Sequence, residues 1–507
     1  MMNKELFAAV PRAFNSEGAP AYAFTAEHAL AQYASTGCFT QTFYASAEMQ
    51  LATVMALVSA VDPVMVAKTA LWTRRESHMK DLPAFLVAYL TVAAPELAEK
   101  IFDRVIDDTK MLRNFVQVVR SGVVARRSLA SMPKRLVKSW LASRTPEQLF
   151  KGSVGAEPSL GDVIKMAHPR PENAERSALY AYLTGRAYDA SALPALVKAY
   201  LAWVAAPKGP PPAVSMQLLT AMNPSDAQWK EIARNASWTE LRMNLNTFAR
   251  HGAFSSRTVV DKVAKKLRDK VAIRRSRVLP YQLMMAWKAV DGAVPGVLKD
   301  ALEDAMDVAL ENVPTIEGRV YLCPDVSGSM SQPVTGHRKG ATSAVRCIDV
   351  AGLVAAAMMR VNDAVVIPFE QDVVDVKISK NASVMSNARK LASIGGGGTN
   401  CSAPLAKLNR EDARGELVVL ISDNESWVDA RPNATGLMVE WEAFRRRNPR
   451  AKLVCIDLVP NRTTQALDRT DVMNVGGFSD AVFELLGEFA SARSPDHWVR
   501  TIRREVI

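Results

Sequence analysis

The sequence lacks the features that mark membrane proteins, disulfide scaffolds and zinc sites. No stretch of its 507 residues approaches the ~20 apolar residues needed to span a bilayer. The first twenty residues do not resemble a secretory signal, because Pro11 interrupts their short apolar run. Five cysteines, an odd number without a CxxC pair, fit neither a closed disulfide framework nor a zinc cluster. We therefore expect a cytoplasmic protein with free thiols and no membrane partner.

Familiar catalytic motifs are missing as well. The sequence contains no GxxxxGK[ST] phosphate-binding loop, no HExxH metalloprotease motif and no nucleophile elbow. The first absence excludes nucleotide hydrolysis by a P-loop in this chain. Together the absences favour a binding protein over an enzyme.

Charge is distributed unevenly along a chain of ordinary globular composition. Apolar residues make up 49% and charged residues 23%, and the length predicts two or more domains. Of the net charge of +11, residues 1–318 contribute 39 basic and 30 acidic side chains, whereas residues 319–507 are nearly balanced. A basic excess confined to one part of a chain is typical of proteins with a polyanionic partner, although it also occurs where it serves only solubility.

Two patterns divide the chain near residue 316. Residues 20–312 carry Ala, Leu, Met and Val at helical spacing without strand-like alternation, which predicts a bundle or stacked helix pairs. After residue 318, the apolar runs RVYLCPDV, DAVVIPF, ELVVLISD and KLVCIDLV alternate with amphipathic helices. That alternation predicts a doubly wound parallel sheet, in which ligands bind at the carboxyl ends of the strands. We therefore place an all-α domain at 1–316 and an α/β domain at 317–507.

Five oxygen-bearing side chains follow the ends of the predicted strands. The turn DVSGSM carries Asp325, Ser327 and Ser329, the loop GGGGTN supplies Thr399, and LISDNES supplies Asp423. Hard oxygen ligands with only two carboxylates suit Mg²⁺, or another divalent cation, better than zinc or copper. Each fragment alone could be a capped turn or a flexible loop. The three fragments together predict one divalent-cation site.

This set of ligands resembles the metal-ion-dependent adhesion site of von Willebrand factor A domains. The resemblance implies that the metal binds rather than catalyses, and that its open position takes an acidic group of a partner. The residue inventory agrees, because two carboxylates and neutral hydroxyls leave a dication partly uncompensated.

Joined to a basic helical part, this domain makes the chain similar to the Ro autoantigen family, ribonucleoproteins built from a TROVE module and a von Willebrand A domain. The resemblance rests on LAQYASTGCFTQTFY, SLGDVIKMAHPRP, SWTELRMNL and RVLPYQLMMAWK in the first part, and on GGGGTNCSAPL, ISDNESW and NVGGFSDAVFELLGEF in the second. It implies a ring of HEAT-like helical repeats. The central hole of such a ring accepts the single-stranded 3′ end of a defective noncoding RNA, and its outer face holds a small Y-type RNA.

Two basic runs supply candidate phosphate contacts. Residues 120–144 contain no acidic side chain, and residues 261–277 contain two. Phosphate contacts from such runs give affinity without sequence preference. The alternative interpretation is that each run is only a solvated helix face. The candidates from these runs are Arg126, Arg127, Lys134, Arg135, Lys138, Lys265, Lys266, Arg274 and Arg275. The resemblance adds Lys151 and His168. Where the family has an arginine one turn beyond that lysine, this chain has Gly155, a departure that would weaken or reshape the Y-RNA face.

The main alternative function is a metal-dependent adaptor that partners a protein on another chain, such as an ATPase. An acidic helical half would have favoured that alternative. Which RNAs are bound, and whether an exoribonuclease is also a partner, stay open from the sequence.

Overall fold

The computed structural model describes residues 11–507 except 38, 40, 43–44, 156, 207, 221–222, 277, 279, 312, 335–344, 429–433 and 492–497. The described residues form two compact units, one from the described residues of 11–82, 280–285 and 306–506, the other mainly from those of 83–278 and 286–305. Residues 11–82 thus belong to the unit that contains the sheet, whereas the sequence predicts a domain boundary at residue 316. Within the described part of the chain, no helix is long and apolar enough to cross a membrane.

Helices dominate the chain before residue 310, as the sequence predicts. Many of them begin where a Ser, Thr, Asp or Asn side chain accepts a hydrogen bond from the first turn, as Ser159 does at Asp162 N. Their bounds are α1 Ala26–Thr36, α2 Ala47–Ala60, α3 Pro63–Arg75, α4 Asp81–Ala93, α5 Pro95–Val105, α6 Thr109–Ser121, α7 Ser131–Ser143, α8 Pro146–Lys151, α9 Leu160–Ala167, α10 Ala174–Thr184, α11 Ala195–Ala205, α12 Met216–Thr220, α13 Asp226–Asn235, α14 Trp238–Arg250, α15 Arg257–Leu267, α16 Lys270–Ser276, α17 Pro280–Ala289 and α18 Gly296–Ala309.

The helices of the second unit pack on helices close to them in sequence. α5 packs on α7, α6 and α7 pack on α9, and α9 packs on α10. Further along, α13 and α14 pack on α15. Packing between helices that are close in sequence is typical of stacked helix pairs.

A five-stranded parallel sheet forms the centre of the first unit. The strands of the chain are β1 Ala13–Phe14, β2 Pro20–Ala23, β3 Arg319–Pro324, β4 Asp363–Val366, β5 Leu417–Ser422, β6 Lys452–Asp457, β7 Thr463–Thr464 and β8 Val472–Gly476. The order in the sheet is β4-β3-β5-β6-β8. All six residues of β5 are buried, as expected for a central strand covered on both faces. The prediction of an all-helical part followed by an α/β domain is confirmed.

Helices alternate with these strands along the chain. They are α19 Cys347–Val361, α20 Val384–Ala392, α21 Ala403–Arg410, α22 Gly436–Arg447, α23 Asp480–Ala490 and α24 Trp498–Arg503. α19 packs on α20 and on β3, and α21 packs on α22. The four described cysteines are buried and are not joined by disulfide bonds, and Cys323, Cys401 and Cys455 lie within this core.

The N-terminal segment belongs to the same unit as the sheet. β2 pairs antiparallel with β1 and with β7, where Tyr22 lies opposite Thr464. α1 packs on β8, α3 and α24. The expectation that no strand lies beyond residue 20 in the helical part was wrong for Pro20–Ala23. A four-residue segment is too short to show strand alternation, and β7, one of its two pairing partners, lies more than 400 residues away.

Candidate metal centre and basic surface

The predicted metal ligands lie at the carboxyl ends of two paired strands. Asp325 directly follows β3, Asp423 directly follows β5, and these strands are parallel neighbours. The glycine-rich loop lies against the turn after β3, because Gly328 N donates a 3.2 Å hydrogen bond to Gly397 O. Thr399 follows this loop and is buried. The structure thus brings the three sequence fragments together at one edge of the sheet.

Hydrogen bonds orient the side chains of the turn after β3. Asp325 Oδ1 accepts from Ser327 N at 2.8 Å, and Asp325 Oδ2 accepts from the hydroxyl of Ser422 at 2.6 Å. The hydroxyls of Ser327 and Ser329 lie 3.4 Å apart. All of these side chains are buried. The carboxylate and the two hydroxyls are therefore fixed before any ligand arrives.

The Asp423 carboxylate is buried without a full hydrogen bond. Among the described residues, neither of its oxygens has a partner. Burial, and then the charge of Asp325, raise the pKa of Asp423 well above its usual range; the nearby Ser329 hydroxyl offsets part of that rise without reaching hydrogen-bond geometry. An unpaired buried carboxylate is costly unless a cation neutralises it. The donor set therefore fits a hard divalent cation.

Sequence reasoning missed two side chains at this edge, Ser422 and Glu370. Ser422 orients Asp325, as described above, and the charge of Glu370 raises the pKa of Asp325 in addition to the larger effect of burial. Glu370 packs on the glycine-rich loop, where a Cβ at Gly397 would lie only 2.6 Å from its Cδ. Gly397 also has a φ of +65°, so glycine is required there. A role for Ser422 at this edge could have been inferred from its position at the end of β5, whereas no sequence motif marks Glu370.

An aromatic side chain is exposed beside the candidate metal ligands. Trp427 N and Val428 N both donate to Thr399 O, at 3.1 and 3.3 Å. The Trp427 side chain is 46% exposed. The edge of the sheet thus combines buried oxygen ligands with an exposed apolar group.

Three of the predicted RNA contacts lie on one face of α7. The helix buries Pro133, Leu136, Val137, Trp140 and Leu141. Arg135 and Lys138 are exposed and Lys134 is half-buried. Arg135 forms an ion pair with Glu99 at 2.7 Å, but both side chains are exposed, so the pair contributes little to stability. A polyanion can reach the exposed Arg135 and Lys138 from solvent.

Other candidates divide between exposed side chains and side chains held by the fold. Arg126 Nη2 donates to Thr91 O at 2.9 Å, whereas Arg127 is exposed. Lys266 donates to Ala236 O, and burial lowers its pKa. The exposed candidates of the second run are Lys265, Arg274 and Arg275. Arg126 and Lys266 therefore support the fold, in addition to any contact with a ligand.

Lys151 is the last residue of α8, and His168 directly follows α9. Lys151 is exposed at the end of α8. His168 is exposed at the end of α9 and has a φ of 52°, and its backbone N–H donates to Ile164 O. Lys151 lines a cavity of the second unit, and His168 is not part of that lining.

Comparison with known proteins identifies similar chains for both parts. The family model described as "Ro60 vWA domain" matches residues 319–490. "RNA-binding protein RO60" of Deinococcus radiodurans is 26% identical over 513 aligned residues, which cover 94% of this chain and 94% of that protein. The protein of the same name from Caenorhabditis elegans is 22% identical over 50% of this chain and 40% of that protein. The crystal structure of the D. radiodurans RO (RSR) protein shares the fold, with a TM-score of 0.60 and 19% identity over 93% of this chain and 100% of that chain.

Proposed function

We propose that this chain is a member of the Ro family, and on that premise that it is an RNA-binding protein and a component of a ribonucleoprotein. The observation that carries the proposal is the similarity to a protein named for RNA binding over 94% of both chains, which includes the helical part as well as the α/β part. A similarity confined to the α/β domain would have left the ligand open. The adaptor alternative therefore receives no support from the comparison.

The basic face of α7 gives this proposal a physical basis. Lys134, Arg135 and Lys138 face away from the buried side of the helix, and their stretch of the sequence contains no acidic residue. Such a surface attracts RNA phosphates through counterion release, and affinity from this source falls steeply with salt. We assign to it the small Y-type RNA. Single-stranded 3′ ends would enter the ring that the family resemblance implies.

The proposed cellular role is quality control of noncoding RNA in the cytoplasm. The protein would bind rather than process its RNA, since no catalytic motif is present in the sequence. Degradation would then fall to a partner such as an exoribonuclease.

We further propose that the α/β edge holds Mg²⁺ or another divalent cation. Asp325, Ser327, Ser329, Thr399 and Asp423 would bind it, and the unpaired Asp423 carboxylate supports this assignment. When bound, the cation would supply positive charge that attracts an acidic group of a partner. The exposed Trp427 would pack against an apolar side chain beside that group.

Purification of the protein from its host, followed by sequencing of the RNA that co-purifies, tests the function. The expected result is enrichment of a small structured RNA and of RNAs with unpaired 3′ ends, relative to a purification of the variant Lys134→Ala/Arg135→Ala/Lys138→Ala. Identical RNA yields from both proteins would contradict the assignment of α7, and absence of RNA from both would contradict the function.

A further inference from the structure

A cavity of about 530 Å³ lies in the second unit beside α6, α7 and α8. Four cationic side chains line it, against two carboxylates. The cations are Lys110, Arg113, Arg144 and Lys151, and the carboxylates are Asp107 and Asp108. Asp108 is also engaged as the N-cap of α6, where it accepts from Met111 N at 2.8 Å. The lining of this open cavity therefore carries an excess of positive charge.

Arg113 occupies space that any side chain at position 155 would need. A Cβ on Gly155 would lie 2.6 Å from Nη2 and 2.7 Å from Cζ of Arg113. Gly155 also has a φ of +115°, which other residues adopt only with strain. The glycine therefore lets the guanidinium of α6 pass directly against the backbone of the loop between α8 and α9. Arg113 therefore places a guanidinium beside Lys151, although residue 155 is a glycine rather than an arginine.

One nitrogen of the Arg113 guanidinium makes no hydrogen bond within the described residues. Its Nε is buried, yet among the described residues it has no hydrogen-bond partner. A buried donor without a partner is uncommon in native proteins and costs free energy that a bound acceptor would recover.

A second arginine is held in place at the same cavity. The guanidinium carbon of Arg144 lies 4.6 Å from the centre of the Trp140 ring. Trp140 is itself buried, and its indole N–H donates to Ile106 O. Arg144 Nη1 donates to the hydroxyl of Ser143 at 3.0 Å. The stacked guanidinium is thereby ordered in advance, and its other N–H groups can bind an acceptor.

We propose that this cavity is a binding site for phosphate groups of the RNA backbone, in which Arg113 makes the central contact and Gly155 keeps its space open. A guanidinium matches a phosphate with two parallel hydrogen bonds, which the lysines at the rim cannot do. Lys110, Lys151 and Arg144 complete the positive surround. The inference rests on the proposed RNA-binding function, since RNA is the source of phosphate that the comparisons favour over a free anion.

The test measures the dissociation constant of a fluorescein-labelled RNA stem–loop with an unpaired 3′ tail, by anisotropy over a series of KCl concentrations. Arg113→Gln should weaken binding roughly tenfold and make the salt dependence shallower by about one phosphate contact. Arg113→Lys keeps the charge, so it should retain the salt dependence and lose part of the affinity. Arg257→Gln on α15 is the matched control, because it removes the same charge from a side chain that is 95% exposed.

A double variant tests the part played by the glycine. Gly155→Ala should weaken binding by displacing the guanidinium of Arg113. In combination with Arg113→Gln it should add little, because both changes remove the same contact. Fully additive losses, with an intact fold by circular dichroism, would mean that the glycine acts on some other contact and would overturn its role.

Inorganic phosphate, added at constant ionic strength, distinguishes the two sources of phosphate. It should compete with RNA more effectively in the parent protein than in Arg113→Gln. The site is refuted if Arg113→Gln changes affinity and salt dependence no more than Arg257→Gln does, while the parent protein binds RNA. Tight binding of phosphate without any binding of RNA would refute RNA as the occupant, and would contradict the proposed function separately.

Discussion

Gln32 on α1 donates a 2.8 Å hydrogen bond from its side-chain amide to Oδ2 of Asp457 at the end of β6, and both side chains are buried. The two residues are 425 positions apart in the sequence. Gly476 on the neighbouring strand β8 packs against the same glutamine, since a Cβ there would lie 2.9 Å from its Cδ. The N-terminal helix is therefore an integral part of the sheet-containing unit.

Removal of this amide should destabilise the unit. Gln32→Ala opens a cavity and leaves the buried Asp457 carboxyl with the longer, 3.4 Å hydrogen bond from the side-chain amide of Asn424. We therefore expect the free energy of unfolding to fall by roughly 2–4 kcal/mol. Urea denaturation followed by circular dichroism measures the change. Gln117→Ala, at an exposed position of α6, is the control and should have little effect. Equal stability of the two variants would mean that the hydrogen bond does not tie α1 to the sheet.

The Asp457 carboxylate should make stability depend on pH. Burial raises the pKa of Asp457 well above its usual range, so the folded state holds this proton more tightly than the unfolded state does. The stabilising contribution is complete below the unfolded pKa of about 3.9, and it is lost as pH rises towards the raised folded pKa. Asp457→Asn keeps an oxygen that can accept from Gln32 but cannot ionise. Urea titrations at several pH values should show the variant gaining stability over the parent protein from about pH 4 to neutrality. A difference that does not change with pH would contradict this.

Metal binding should separate from RNA binding. Asp325→Ala removes the carboxylate that Ser327 and Ser422 orient, and the remaining hydroxyls cannot hold a hard dication against water. We expect calorimetric titration with Mg²⁺ to show no binding, and RNA affinity to stay within about twofold, since the basic residues lie in the other unit. Mg²⁺ binding like that of the parent protein would refute the five-residue site. Loss of RNA affinity with an intact fold would place the metal edge within the RNA site.

Neighbouring lysines on α15 should respond in opposite ways. Lys266 donates to Ala236 O and is partly buried, whereas Lys265 is exposed. Lys266→Ala should lower the free energy of unfolding by about 1 kcal/mol and change RNA affinity little. Lys265→Ala should leave stability unchanged and weaken RNA binding in a salt-dependent manner. Thermal denaturation and fluorescence anisotropy on both variants measure these effects. If Lys266→Ala weakens RNA binding as much as Lys265→Ala does, Lys266 contacts the RNA despite its hydrogen bond to Ala236 O.

The sequence predicts those parts of the fold that local pattern determines. The strands β3, β5 and β6 are buried on both faces, so each is a continuous apolar run that can be recognised without partners. The candidate metal ligands Asp325 and Asp423 could be predicted for the same reason, because they directly follow β3 and β5. Contacts between distant segments have no such local signal. The hydrogen bond from Gln32 to Asp457 and the packing of Arg113 against Gly155 depend on the folded chain, and no pattern in either segment indicates its partner.

RNA binding measured by anisotropy tests the central claim most directly. The RNAs are a fluorescein-labelled stem–loop with an unpaired 3′ tail and the same stem–loop with a blunt end. We predict tighter binding of the tailed RNA, an affinity that falls steeply with KCl, and weaker binding of both RNAs by Lys134→Ala/Arg135→Ala/Lys138→Ala with an unchanged circular dichroism spectrum. Equal affinity for the two RNAs would contradict the entry of single-stranded ends into a ring. Absence of binding to either RNA at low salt would contradict the assignment of this chain as an RNA-binding protein.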